Sequence, residues 1–224
     1  MLPKLSRFIA LLAAAPALLR PQSTGPLLAR LDEAARKFTG ATAHLRSVHH
    51  LPIIDPDDTE IGVITVRRAA PDKVHYLVEF TAPDPKAMAV RDQKVEVYYP
   101  KRNEIEEWNI AKYRDFAQAL LLLGFGMPGR ELAANYEIRI AGVEKIGPQA
   151  ATHLELTPKS ARVRAQVNRI DLWISEETGF SLQQKFSLPG GEYRMNTFTE
   201  LRLNPKLPPS AMDLPKGAKR IKMN

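Results

Sequence analysis

Residues 73–80 read KVHYLVEF, in which Val74, Tyr76, Val78 and Phe80 alternate with Lys73, His75, Leu77 and Glu79. A β-strand sends successive side chains to opposite faces, so this period of two predicts a strand with one buried face. The pattern returns in Val95, Val97 and Tyr99 of KVEVYY, in Ile138 and Ile140 of YEIRIAG, and in Ile170, Leu172 and Ile174 of RIDLWIS. It recurs with more polar company in Phe180, Leu182, Gln184, Phe186 and Leu188, and in Met195, Thr197, Thr199, Leu201 and Leu203. Turn residues separate the runs at short intervals: Ala70-Pro71-Asp72, Pro83-Asp84-Pro85, Arg91-Asp92-Gln93, residues 100–103, residues 176–179 and Gly190-Gly191. Short strands joined by tight turns predict an antiparallel meander. One-face polarity in the later strands predicts a sheet covered on one side, not a two-sheet sandwich or a parallel α/β fold. The fold class expected is α+β, a single domain over 27–224 with a strongly curved antiparallel sheet.

Working toward the N-terminus, residues 52–58, with Pro52, Asp55-Pro56 and Asp57-Asp58, predict an exposed loop, and residues 41–50 before it a strand. Leu27, Leu28, Leu31, Ala34, Ala35 and Phe38 follow a helical period against Asp32, Glu33, Arg36 and Lys37, and Gly40 closes that amphipathic helix. A second helix is expected over 111–123, capped by Asn109 and striped by Tyr113, Phe116, Ala117 and Leu120. Leu120, Leu121, Leu122 and Leu123 point all round that helix, and the Gly- and Pro-rich residues 124–129 follow at once. Two readings stand, a helix buried in the core and a mobile lid. Residues 130–135 add a further helical turn.

Residues 1–17, MLPKLSRFIALLAAAPA, place Lys4 and Arg7 before an apolar run and end in small residues at Ala15 and Ala17. That order predicts a cleaved secretory signal peptide, with a linker over 18–26, because the run is interrupted by Pro16 and is too short to span a bilayer. The mature protein is expected to be periplasmic, monomeric and to touch membranes only peripherally. The formal charge of the chain is +7, and loss of Lys4 and Arg7 lowers it by two. The remaining basic residues are spread along the chain apart from Arg162, Arg164 and Arg169 and the tail Lys216, Lys219, Arg220 and Lys222, a solvated basic surface. No cysteine is present, which excludes disulfides, thiolate metal sites, a cysteine nucleophile and an N-terminal lipidated cysteine.

The chemistry of catalysis is not legible. His44, His49, His50, His75 and His153 have no zinc-motif spacing, and no phosphate loop or nucleophile elbow occurs, so no metal and no cofactor is expected. Glu104, Glu106 and Glu107 read as surface charges beside Lys101-Arg102. Aromatic residues do not interleave with the basic ones to stack bases, which argues against nucleic acid as a partner.

The order of a signal peptide, an amphipathic helix, a strand pair, VRRAAPDKVHY, RDQKVEVYYP, an apolar helix, LELTPK and NTFTELRLNPKLPPSAMDLP resembles the LolA-type outer-membrane lipoprotein-sorting proteins, over about residues 27–222. The most specific matches are Asp92 through Pro100 and Leu156-Thr157-Pro158-Lys159. The resemblance implies an incomplete β-barrel with helices over its concave apolar face. That face would take acyl chains between Val74, Tyr76, Val78, Phe80, Val97, Tyr99, Phe116, Leu172 and Phe186, with Leu120 to Leu123 as gating residues. It also implies that an arginine near the end of an early strand, Arg68 or its neighbour Arg67, holds the lid. Such a carrier collects acylated lipoproteins or lipids from an inner-membrane release complex and hands them to an outer-membrane acceptor. Each CH₂ left in water costs about 0.8 kcal/mol, so the carrier must supply an apolar cavity while staying soluble. A sensor or scaffold of the same fold, its interior a packed core, is the alternative; an enzyme acting on envelope lipids or glycans comes third.

Overall fold

The computed structural model describes residues 24–71, 73–91, 93–113 and 123–223. The segment read as a signal peptide and most of the helix expected over 111–123 lie outside the described residues. Helix α1 (Gly25–Lys37) carries Pro26 in its first turn, where a missing N–H costs nothing, and Arg36 and Lys37 in its last, where cations suit the helix dipole. Lys37 also pairs with Glu33 one turn back at 2.9 Å. The stripe read from the sequence is the face that packs, with Leu27, Leu31 and Ala35 buried.

The chain then builds a meander of β1 (Gly40–Leu51), β2 (Ile54–Ala70), β3 (Lys73–Ala82), β4 (Lys86–Arg91), β5 (Lys94–Tyr99) and β6 (Glu104–Asn109). A short 3₁₀ turn, Ala111–Tyr113, follows, its first N–H accepted by Asn109 Oδ1 at 2.9 Å as the capping reading expects. After α2 (Gly129–Asn135) come β7 (Tyr136–Ile146), β8 (Gln149–Pro158), a single helical turn α3 (Ala161–Arg164), β9 (Arg169–Ser175), β10 (Ser181–Ser187) and β11 (Tyr193–Leu203). The last strand is β12 (Lys219–Met223).

The twelve strands of the described residues form one sheet in the order β12-β6-β5-β4-β3-β2-β1-β11-β10-β9-β8-β7. Two meanders therefore meet where β1 pairs with β11, from Ala41 opposite Leu203 to His50 opposite Tyr193. The sheet is open, with β7 and β12 as its edges, and α1 and α2 lie over its inner face: an α+β incomplete barrel. Edge β7 carries Glu137, Arg139, Glu144 and Lys145, charges that discourage pairing with another chain.

Three features depart from the sequence reading. Residues 52–58 are the tip and outgoing limb of a hairpin, not a loop: Leu51 pairs with Ile54 and His49 with Asp58. This limb extends past the neighbouring strands, where a proline is tolerated, and His50 ties it down by pairing with Asp57 at 2.7 Å and stacking on Tyr193. Second, β12 runs parallel to β6, because residues 204–218 cross the outer face before pairing. Third, the outer face is not uniformly bare. Met212, Leu214 and Ala218 cover Leu77, Ala89 and Ile105, and Ala151, Trp173 and Leu182 form a smaller outer cluster.

Candidate functional site

On the inner face, β1 to β5 together with β10 and β11 surround a cavity of about 540 Å³. Its floor and walls are mostly apolar: Leu45 from β1, Ile64 from β2, Tyr76, Val78 and Phe80 from β3, Met88 and Val90 from β4, Val97 and Tyr99 from β5, and Phe186 and Phe198 from β10 and β11. Phe125, from the segment leading to α2, sits edge-on to Phe198 at 4.9 Å and to Tyr76 at 6.5 Å. The Tyr76 phenol is buried, and burial pushes its pKa well above the ordinary tyrosine value, so the phenol itself stays neutral.

Of the side chains that the resemblance assigns to an acyl cavity, Tyr76, Val78, Phe80, Val97, Tyr99 and Phe186 line this one. Val74 and Leu172 do not. Val74 sits two residues farther along β3, opposite Arg68, where it is fully buried in the core. Leu172 borders a void of only about 20 Å³ beneath Leu31 and Ala35 of α1, room for little more than one water. The period of two predicts the face on which both lie; it carries no information on what packs over each point of that face. Phe116 lies outside the described residues.

Arg68 closes the packed end. Its Nε donates to Phe38 O at 3.0 Å, at the C-terminal end of α1, and its Nη2 donates to Gly126 O at 2.9 Å, in the segment before α2. Nη1 donates to Pro71 O, and the guanidinium lies over the Phe38 ring at 5.4 Å from its centre. One planar cation thus binds together the helix, the β2–β3 turn and the 123–127 segment, a task that needs several donors in fixed directions. Burial lowers its pKa, partly opposed by the charge of Glu131, but a guanidinium stays protonated. Gly126 has φ of +99°, and a Cβ there would collide with Arg68 Nη2 and the Phe38 ring, so the clasp requires glycine.

Arg67 points elsewhere. Its Nη2 donates to Pro208 O at 2.7 Å, on the segment that crosses the outer face. Leu123 is fully buried in a turn, and its carbonyl accepts from Gln184 Nε2 at 2.7 Å. Leu120, Leu121 and Leu122 lie outside the described residues. Glu104, Glu106 and Glu107 pair with Lys219, Arg102 and Arg220 respectively, so the basic tail is partly neutralised by β6.

In the sequence no histidine has a zinc-motif spacing or a suited pair of carboxylates nearby, but the register of β8 and β9 brings ligand atoms of His153, Glu155 and Asp171 within 4.8 Å of one another. Residues i and i+2 of one strand and a cross-strand partner share a face, a proximity no linear spacing shows. Glu155 is held by Arg139 at 2.7 Å and Asp171 by Arg169 at 3.0 Å. The two ring nitrogens of His153 face Glu144 at 2.7 Å and Asp171 at 3.0 Å. The group is an ion network on the outer face, away from the cavity.

No protein-family profile and no curated protein matches the chain. Solved structures do. An uncharacterised conserved protein from Thermus thermophilus superimposes with a TM-score of 0.55 at 14% identity, over 90% of this chain and all of that one. The Pseudomonas aeruginosa MucA/MucB complex matches with a TM-score of 0.51 at 15% identity over 89% of this chain, which spans 64% of the matched one. The Mycobacterium tuberculosis lipoprotein LppX matches with a TM-score of 0.51 at 14% identity, over 82% of this chain and 98% of that one. What these proteins share with the chain at such identities is the fold alone, an α+β incomplete barrel.

Proposed function

We propose that the protein is an exported carrier that takes acyl chains of lipoproteins or related lipids into the inner-face cavity and passes them toward the outer membrane by binding and release. The observation that carries the reading is the cavity of about 540 Å³, within the roughly 300–1,000 Å³ of small-ligand sites and lined by aliphatic and aromatic side chains. The described residues leave this apolar volume unfilled, and a gap of that size is costly in a core that has only stability to serve. Arg68 restrains the elements over the closed end of the face while the rest stays accessible. In this reading residues 1–17 are the signal peptide, 18–26 a linker and 27–224 one carrier domain, and no cofactor takes part. No helix of the described residues is long and apolar enough to cross a membrane, as a shuttle between membranes requires.

Native mass spectrometry of the protein extracted from its own cell envelope tests both halves of the proposal. The expected spectrum shows a chain beginning at Leu18 and carrying a bound acylated molecule. A chain retaining Met1 in the cytoplasmic fraction removes the export reading, and an envelope protein that never retains or binds acyl compounds removes the carrier reading. The second reading is a partner-binding module of the same fold, favoured by the likeness to MucB, which was crystallised bound to MucA. It gains if the extracted protein carries a polypeptide and no lipid.

A further inference from the structure

The cavity is not uniform along its strands. Toward the Arg68 end its wall is Ile64, Tyr76, Val90 and Phe125. At the hairpin end it becomes polar through the register of the sheet itself: Ser47 lies opposite Glu60 on one side and Asn196 on the other, and Asn196 lies opposite Gln184. One pleat farther out, His49 faces Arg194, which in turn faces Phe186. Ser47, Glu60, Gln184, Asn196 and Arg194 all line the cavity, as does Lys86. A gradient from apolar to polar along one elongated site fits an amphiphile lying along the strands, its tail toward Phe125.

The charges at the polar end define the head. Lys86 Nζ lies 2.5 Å from Glu60 Oε1, and the pair is neutral as a unit. Arg194 has no such balance. Its Nη2 donates to His49 Nδ1 at 3.4 Å, and the opposite ring nitrogen of His49 is already committed to Glu192 at 2.7 Å. Among the described residues no carboxylate lies within ion-pair distance of Arg194. Of the three charged groups on the wall, Arg194 is thus the one with no direct ion pair among the described residues, Glu192 reaching it only through the His49 ring, and its guanidinium is the side chain best suited to grip a planar carboxylate or a phosphate by two donors. Asn196, two residues along β11, and Lys86, on the β4 side of the same cavity, supply further donors. Resting on the acyl-chain reading of the cavity, we propose that the ligand is an anionic single-chain amphiphile whose carboxylate or phosphate head is held by Arg194 and Lys86 at the hairpin end.

Isothermal titration calorimetry on the mature protein decides this with three probes of equal chain length, each below its micelle concentration: dodecanoate, dodecyl phosphate and uncharged monododecanoyl glycerol. At least one anion is expected to bind about 10-fold or more tightly than the neutral ester, the worth of a charge-assisted hydrogen bond. Whichever anion binds more tightly identifies the source of the head, a fatty-acid carboxylate or a lipid phosphate. Arg194→Gln, at an exposed position, is expected to bring the anions down to the affinity of the ester, with the thermal melt of the variant checked against the parent. Equal affinity for all three probes, or anion preference untouched by Arg194→Gln, overturns the head-group assignment and leaves the acyl cavity standing. Failure of all three to bind, with an unchanged thermal melt as control, overturns the acyl reading and the assignment with it.

Discussion

The strands β3–β5 and the strands β8–β9 show the same alternation in sequence, yet one set borders a cavity and the other is packed solid. Leu154, Leu156 and Leu172 are at most 1% exposed beneath α1 and the segment at 123–127, whereas Met88, Val97 and Tyr99 stay half-exposed beside the cavity. Alternation tells which side of a strand faces inward. What fills that side is decided by where helices lie, and α1 lies against β9 of the second meander, its C-terminal end tied to Arg68 of β2. The first meander is braced from outside instead, by Met212, Leu214 and Ala218 against Leu77, Ala89 and Ile105. Among the described residues, one half of the molecule is packed from within and the other is braced from behind, its inner face bordering the cavity.

Truncation in the two halves tests this contrast most severely. Leu154→Ala removes a fully buried side chain and leaves a hole, and about 2–5 kcal/mol of stability should go with it. Met88→Ala only enlarges a space already present, so its loss is expected to be about 1 kcal/mol or less, with no new cavity term. Urea unfolding of both variants measures the difference. Equal losses would mean that the β3–β5 wall is packed against something as firmly as the β8–β9 wall, and the division into a filled and an open half would be abandoned.

The boundary between the halves is Arg68, and the next effect in size is expected there. Arg68→Leu leaves the carbonyls of Phe38, Pro71 and Gly126 without their donor, a cost of about 1–3 kcal/mol, and frees the elements that cover the packed end. Stopped-flow release of a bound fluorescent fatty acid should quicken severalfold in this variant. Arg67→Leu loses bonds only to the exposed Pro208 and Pro209 carbonyls and should change release little. If both variants release the probe at the parent rate, Arg68 is a structural clamp with no part in gating.

Much of this arrangement is legible in the residues and some is not. The strands, their turns, α1 and its buried stripe follow from local rules, because period and turn chemistry act over a few residues. The pairing of Lys219 to Met223 with β6 has no local signal; it depends on a crossing of the outer face that the proline-rich stretch 205–209 does not announce. Arg68 was recognisable only through the resemblance, since nothing near it in sequence hints that Phe38 and Gly126 will converge there. Arg194 was missed altogether. In MNTFTEL and the residues before it the basic side chain reads as solvent-facing, and only the register against Phe186 turns it to the cavity.

The smallest effect expected concerns the outer brace and its dependence on pH. Glu96 on β5 is buried, which by itself would raise its pKa, but hydrogen bonds from Arg220 at 2.6 Å and Arg91 at 2.6 Å, with their charges, outweigh this and hold it below the usual carboxylate value. Arg220 belongs to β12, so this carboxylate helps to keep the last strand against the back of the open half. A carboxyl whose pKa is depressed by folding contributes stability at pH values above its unfolded pKa, about 4.3, and that contribution fades as the pH drops through the folded value. Because Arg220 is nearly half exposed, screening limits the contribution to about 1 kcal/mol. Glu96→Gln should therefore lower the melting temperature by a few degrees at pH 7, and the gap to the parent protein should close progressively as the pH is taken below about 4. A gap that persists undiminished at pH 3 would mean that the shape of the side chain, not its charge, braces the open half, and the closing strand would then be insensitive to acid.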